Sequence, residues 1–136
     1  VFYSMEQTVV YLSVKGAQFF NQLDIGVTID QFTTLDILYM NNNICQRDLS
    51  KLILKDRSNT GRILNILEEK GYVERKAETK GKRLVKNVCI TPKGVQLVEE
   101  MQPRLKDAFL QIFEDISEDE FTYVKNFLDK IKNRLN

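Results

Sequence analysis

The amino-acid sequence predicts a mainly α-helical, single-domain fold that carries one small β-hairpin. Apolar residues recur at steps of three and four over most of the chain, and helix-capping residues stand between these segments. Between Tyr72 and Ile90 the pattern changes to that of two strands joined through Lys80-Gly81. A length of 136 residues is short for two full domains, so we expect one.

The first two helices are predicted by clear start and stop signals. The first runs from about Phe2 to Leu23, and a break follows at 24–26. Thr28 and Gln31 have the spacing of a capping box, in which each side chain accepts a hydrogen bond from the other residue's backbone N–H. The second helix therefore starts at Thr28, and three asparagines at 41–43 stop it.

Two closely spaced helices follow. A short helix is predicted over about 46–54 and a longer one over about 57–70, with Asp56 as its N-cap. Gly71 ends the longer helix, since glycine adopts the left-handed conformation at little cost. Thr60, Leu64 and Leu67 share one side of this helix, which leaves its polar residues free to meet solvent or a ligand.

The end of the chain predicts a hairpin and two more helices. Strands are expected at 72–76 and 84–90, and Thr91-Pro92 opens a fifth helix that Pro103 should kink. Ser117 and Glu120 form a second capping box, and the last helix repeats apolar residues in a pattern that needs a partner helix. This order of elements predicts a winged helix-turn-helix core between terminal helices.

The net charge of +1 hides a basic middle segment. Residues 46–93 hold thirteen Lys and Arg against six Asp and Glu, while the rest of the chain holds seven against thirteen. A basic segment between acidic ends is typical of a protein that offers one face to a polyanion.

The composition argues against an enzyme. The chain has no histidine, which removes the usual general base near pH 7 and imidazole metal sites, and we expect neither a metal nor a cofactor. Lys80-Gly81-Lys82 lacks the preceding glycine of a phosphate-binding loop. No apolar run is long enough for a membrane helix, and two distant cysteines predict a reduced, cytoplasmic protein.

Three stretches resemble the MarR family of bacterial transcription regulators. The segment from Gln46 to Leu64 is similar to that family's helix-turn-helix, and the segment from Leu67 to Arg75 resembles its passage into the wing. Ile90-Thr91-Pro92-Lys93-Gly94 resembles the opening of its fifth helix. Two positions depart from the family: the wing has Lys82 before Arg83 where an Asp is usual, and Leu54 occupies a turn position that often holds glycine.

The resemblance implies one MarR-type domain over 1–136 that forms a homodimer and regulates transcription. Residues 28–92 would be the DNA-binding winged-helix lobe, and 1–24 with 93–136 the helical dimerisation region. The fourth helix would enter the major groove of double-stranded DNA at a pseudopalindromic operator, and the wing the minor groove. Such proteins are usually repressors that a small-molecule or redox signal releases.

Three sets of candidate residues follow. Exposed polar residues at DNA-reading positions are Arg47, Arg57, Ser58, Asn59, Gly61, Arg62, Lys80, Lys82 and Arg83. Of these, Asn59 can pair with adenine, Arg62 can read guanine or clamp a phosphate, and Arg83 can enter the minor groove. Candidate dimerisation residues are Val9, Leu12, Val124, Leu128, Ile131 and Leu135. Aromatic residues that could line an effector pocket, or simply belong to the core, are Phe19, Phe20, Phe32 and Tyr39.

Two other functions remain open from the sequence. One is a winged-helix protein-interaction module, which predicts weak DNA binding without sequence preference. The other is a small-ligand-binding protein in which the basic wing holds an anion, without specific DNA binding. Cys45 and Cys89 are interpreted as structural cysteines, with redox sensing as the alternative.

Overall fold

The computed structural model describes all 136 residues and contains six helices and a three-stranded antiparallel sheet. The elements are α1 (Phe2–Leu23), α2 (Ile29–Met40), β1 (Ile44–Cys45), α3 (Gln46–Ile53), α4 (Arg57–Glu69), β2 (Val73–Lys80), β3 (Arg83–Ile90), α5 (Pro92–Ile112) and α6 (Glu118–Leu135). The predicted fold class, mainly helical with a winged helix-turn-helix core, is confirmed.

The predicted helix caps form, and they fix where each helix starts. The N–H of Gln31 donates to Oγ1 of Thr28 at 3.2 Å, and the N–H of Thr28 donates to Oε1 of Gln31 at 3.1 Å. Ser117 and Glu120 make the same reciprocal pair at the start of α6. These bonds satisfy backbone donors that have no partner inside their helices.

The chain divides into two compact units, Val1–Glu100 and Met101–Asn136. The core of the first unit is built by one apolar side of α2, α3 and α4 together with the inner face of the sheet. Its fully buried residues include Leu35, Leu38, Leu49, Thr60, Leu64, Leu67, Val73 and Val88. α4 is therefore held along its inner side, and its outer side stays exposed.

The sheet has the strand order β1–β3–β2, so that β2 is an edge strand. β1 was not predicted, because two residues give no periodic signal; it pairs Ile44 with Val88 and Cys45 with Asn87. β2 reaches Lys80 instead of ending near Lys76, since pairing with β3 continues along exposed residues out to the tip.

The second unit leaves one side of α6 unpartnered. At its start, the rings of Phe109, Phe113 and Phe121 pack together, with centroids 4.2 Å apart for the first two and 5.3 Å for the last two. Further along α6, Val124 is 53% exposed and Leu135 is 80% exposed. α5 passes through Pro103 and continues to Ile112. None of the helices is long and apolar enough to cross a lipid bilayer.

Leu54 adopts a left-handed conformation in the turn between α3 and α4. Its φ is 59° and its side chain is 87% exposed, so the residue bears backbone strain without burying apolar surface. This strain explains why glycine suits the position, and we expect Leu54→Gly to stabilise the fold by about 1 kcal/mol. The measurement is thermal unfolding followed by circular dichroism.

Leu52→Gly is the matched control for this prediction. Leu52 lies inside α3, where glycine is unfavourable, so this variant should melt at a lower temperature than the wild type. A lower melting temperature for Leu54→Gly as well would contradict the assignment of strain to Leu54.

Candidate nucleic-acid interface

α4 presents a polar outer side at its N-terminal half. Asp56 caps the helix: its Oδ1 accepts a hydrogen bond from the N–H of Asn59 at 2.8 Å. Ser58 and Arg62 are exposed on the side away from the core, and Arg57 is exposed at the first position of the helix. Two predicted DNA-contacting residues thus share an accessible helix surface with the shape that fits a major groove, and a third lies at the start of the same helix.

The structure gives Asn59 a second role. Its Nδ2 donates to Oδ2 of Asp56 at 3.2 Å, so that its side chain reinforces the N-cap and is half-buried. Pairing with adenine uses both the oxygen and the nitrogen of the amide. Asn59 therefore has to exchange its bond to Asp56 before it can read a base in this way.

Residues at the junction of α3 and α4 complete this surface. Arg47 is exposed on the first turn of α3. A Cβ built on Gly61 would lie 3.7 Å from Nε2 of Gln46, an ordinary contact distance, so the packing of α3 does not require glycine.

The wing tip is a cluster of cations. Lys80 and Arg83 lie opposite each other in the register of β2 and β3, at the end of the hairpin. Gly81, with a φ of 65°, forms the turn between them, and Lys82 follows it. All three cationic side chains are exposed, and none has a carboxylate oxygen within 4.0 Å. A cation at an exposed tip can neutralise a phosphate and release its counterion.

The base of the wing is tied to α4 through Arg75. Its Nη2 donates to Oε1 of Glu68 at 2.9 Å and to Oδ1 of Asn65 at 2.7 Å. The Arg75 backbone N–H donates to Oε2 of Glu68 at 3.0 Å. The hydrogen bond from the Arg75 guanidinium holds the pKa of Glu68 below its usual value.

This arrangement is not predicted from the sequence, in which Arg75 is only one of the cations of the basic segment 46–93. Its carboxylate partner lies seven residues earlier, on the other side of the turn at Gly71. The only sequence signal is an acidic residue in the last turn of a helix and an arginine at the start of the following strand. The wing lacks the usual Asp before Arg83 at its tip. In this structure the wing is instead anchored at its base, by the contact between Arg75 and Glu68.

Other cations of the basic segment are also occupied within the protein. Lys55 pairs with Asp30 at 3.4 Å and Lys76 with Glu74 at 3.9 Å. Lys93 donates to the carbonyl of Lys70 at 2.6 Å, and Lys70 donates to the carbonyl of Gly26. The cations without such partners lie mostly on the exposed parts of α3, α4 and the wing tip. They include Arg47, Arg57, Arg62, Lys80, Lys82 and Arg83.

The four aromatic residues predicted for an effector pocket do not gather around one cavity. Phe32 is buried in the core against Phe20, with ring centroids 5.4 Å apart, and Phe19 packs edge-on against Phe20. The hydroxyl of Tyr39 donates to Oε1 of Glu99 at 3.2 Å. A cavity of about 250 Å³ beside the end of α1 has Phe20 in its wall, together with Gln31 and Lys70, but none of the other three aromatics.

The predicted dimerisation residues are mostly exposed in the single chain. On α1, Val9 is 63% and Leu12 is 43% exposed. On α6, Leu128 is exposed beside Val124 and Leu135, while Ile131 is half-buried. Each helix thus carries apolar surface that no other part of the chain covers.

Cys45 and Cys89 are both half-buried free thiols. The Cys89 thiol donates to Oδ1 of Asn43 at 3.4 Å. Cys45 is the last residue of β1 and directly precedes α3, so both cysteines belong to the sheet.

The fold and this surface define the class of winged-helix proteins, and comparisons show which known proteins the chain is similar to. Residues 27–85 match the model of the MarR family. The similarity to this family thus runs from α2 to the start of β3, which is the part of the chain that forms the helix-turn-helix and most of the wing. A comparison with curated protein sequences gave no match.

Three solved structures are similar to the chain over 98% of its length. The MepR–DNA complex of Staphylococcus aureus is 24% identical, with 96% of that chain covered and a TM-score of 0.81. Another structure of MepR, a regulator of the multidrug efflux pump MepA, is 25% identical, with 97% covered and a TM-score of 0.64. A MarR/EmrR-family regulator from Acinetobacter sp. ADP1 is 20% identical, with 92% covered and a TM-score of 0.86.

Proposed function

We propose that the chain is a homodimeric transcriptional repressor that binds a pseudopalindromic DNA operator. The observation that carries the proposal is the shared exposure of Arg57, Ser58 and Arg62 on α4 with the unpaired cations of the wing tip. In a winged helix these two elements can enter neighbouring grooves of one DNA half-site. The similarity of the fold to MepR in its DNA complex supports the same role.

Dimerisation is supported by the exposed apolar residues of α1 and α6. A two-fold dimer places two copies of α4 on the same side of the DNA, and half-sites about one helical turn apart would match them. The proposal includes release of DNA by a small-molecule or redox signal. The cavity beside Phe20 and Lys70 is the candidate site for a small molecule, and Cys45 and Cys89 are the residues an oxidant would reach.

The test is a fluorescence-polarisation titration with DNA sequences selected from a random pool, at two salt concentrations. We expect sequence-selective binding with two protomers per site and an affinity that falls steeply with salt. Weak binding without sequence preference would instead favour a winged-helix module that binds a partner protein. Tight binding of an anionic ligand that DNA does not affect would favour a ligand-binding protein.

Arg62→Ala and Lys82→Ala should weaken operator binding in different ways. Arg62 lies on the groove-facing side of α4, and its loss should cost on the order of 1–3 kcal/mol on the selected operator and relax selectivity at one position. Lys82 lies at the wing tip, and its loss should weaken binding to all sequences and flatten the salt slope by about one unit. The measurement is the same titration across a salt series.

Lys125→Ala is the control, because it also removes one exposed lysine, but from α6, which belongs to neither the helix-turn-helix nor the wing. In the wild type this lysine pairs with Asp129. The salt slope of Lys125→Ala should equal that of the wild type. A Lys82→Ala slope equal to that of Lys125→Ala would show that the wing does not contact phosphate.

A further inference from the structure

We infer that Glu68 and Asn65, through Arg75, are positioning residues that fix the wing at the angle from which its tip can contact DNA. This inference rests on the proposed function, since it concerns the same interface. The two halves of that interface, α4 and the hairpin, are consecutive in the chain and are connected by the turn around Gly71 and Tyr72. β1 holds the hairpin on its β3 side, but β2 is the outer edge strand, and its angle to α4 can vary unless a further contact holds it.

The contacts of Arg75 remove this freedom. Its guanidinium donates to one carboxylate and one amide that lie three residues apart, on one side of α4. Because a guanidinium is planar and rigid, two partners fix its orientation, and the strand that carries it is fixed as well. The Arg75 side chain is only 20% exposed, whereas that of Glu68 is 41% exposed, so the guanidinium is the more enclosed partner of this pair.

The backbone of β2 provides a third contact. β2 is an edge strand, and Arg75 faces Val88 of β3 without donating its N–H to that strand, because this N–H donates to Oε2 of Glu68. One carboxylate thus accepts from both the side chain and the backbone of Arg75. In this way α4 takes the place of a further strand at the base of the wing.

The contacts also account for which cations remain for DNA. Arg75 and Asn65 are polar residues beside the proposed interface, yet each donates or accepts within the protein. Lys80, Lys82 and Arg83 at the tip have no such partner. The polar groups at the base of the hairpin therefore hold the wing in place, and the cations at its tip remain available to contact phosphate.

Glu68→Ala is the test, and Glu69→Ala is its matched control. Both variants remove one carboxylate from the last turn of α4, so both change the general attraction to DNA by the same charge. Glu69 is exposed and makes no side-chain hydrogen bond or ion pair. Any difference between the two variants therefore reports the contacts with Arg75.

The first readout is hydrogen exchange of the Arg75 backbone amide, measured by NMR without DNA. In Glu68→Ala this amide should exchange at least about tenfold faster, because it loses its one acceptor. The amide of Lys76, which faces β3 in the alternating ladder, should be unchanged. Glu68→Gln keeps an oxygen that can accept the bond and should give an intermediate rate. An unchanged Arg75 rate in Glu68→Ala would overturn the inference.

The second readout is operator affinity. Relative to Glu69→Ala, Glu68→Ala should bind the operator about three- to tenfold more weakly, because the wing must then be ordered on binding. Lys82→Ala should also reduce operator affinity less in the Glu68→Ala background than in the wild type. The two effects are then not additive, which is the result expected when Glu68 acts through the position of Lys82. Equal affinities of Glu68→Ala and Glu69→Ala, with faster Arg75 exchange, would overturn the positioning role.

The pH profile separates this role from a general loss of stability. The pKa of Glu68 is lowered in the folded protein, mainly by Arg75 and also by Lys86. Its stabilisation of the fold is therefore complete above the ordinary glutamate pKa of 4.5 and is lost as the pH falls through the lower value. In the wild type, protection of the Arg75 amide from exchange should decline as the pH falls from 4.5 through the lowered pKa of Glu68. In Glu68→Ala, protection should be low at every pH.

A wild type that binds no operator selectively would overturn the proposed function and the positioning role together. The exchange rates would still report whether Glu68 holds the Arg75 amide.

Discussion

Gly94→Ala is expected to destabilise the protein by about 2–4 kcal/mol, through overpacking and the disturbance of a backbone hydrogen bond. A Cβ at this position would lie 2.5 Å from the carbonyl oxygen of Tyr72 and 2.7 Å from Cγ1 of Ile90. Tyr72 cannot move away easily, because the same carbonyl accepts a hydrogen bond from the N–H of Thr91 at 3.0 Å. The first turn of α5 would have to shift away from the base of the sheet. The free energy of unfolding, measured with urea, checks this prediction.

Gly61→Ala is the control for Gly94→Ala. Gly61 lies inside α4, where the new Cβ would make only an ordinary contact with Gln46. Alanine should therefore stabilise this helix by roughly 0.5–1 kcal/mol. If Gly94→Ala were as stable as the wild type, the close approach of α5 to Tyr72 would be wrong.

The double variant Val124→Glu, Leu128→Glu is expected to convert the proposed dimer to monomers and to lower operator affinity by about 10²-fold or more. Two carboxylates would be placed on the exposed apolar side of α6, where burial at an interface is costly for a charge. Without the dimer, the second half-site no longer binds at the high effective concentration that a linked partner provides. Analytical ultracentrifugation and the polarisation titration measure the two effects.

The matched control for the α6 variant is Asn126→Glu, Asn133→Glu. These asparagines are exposed and lie on the opposite side of α6, so the control adds the same charge to the same helix. We expect it to remain dimeric and to bind DNA slightly more weakly through charge repulsion. A dimer that survived both variants would remove α6 from the interface.

Local signals in the sequence predict most of the fold. Thr28, Asp56 and Ser117 are N-caps because their side-chain oxygens reach backbone donors three residues ahead, which involves no distant part of the chain. Gly71 ends α4 with a φ of 81°, also a local requirement. The two-residue strand β1 could not be predicted, because it exists only through its pairing with β3 about forty residues later.

The candidate interface was predictable in outline and less so in detail. The spacing along α4 indicates which side faces outward, and the structure places Ser58 and Arg62 there. The partners of Asn59 and Arg75 depend on rotamers and on the angle of the turn at Gly71, which apolar periodicity does not encode. The aromatic residues fail to form one pocket for a similar reason, since a shared helical spacing does not decide between core and cavity.

Cys45 connects β1 to α3 without a single intervening residue, because it ends the strand and occupies the N-cap of the helix. Since β1 is also bonded to β3, the short helix and the hairpin are joined by a stiff link that contains no hinge. Under the proposed function, a signal that releases DNA would then turn α3, α4 and the wing as one rigid body. The flexibility that such regulation needs would lie outside this block, and motion of the wing alone is the response that this link opposes.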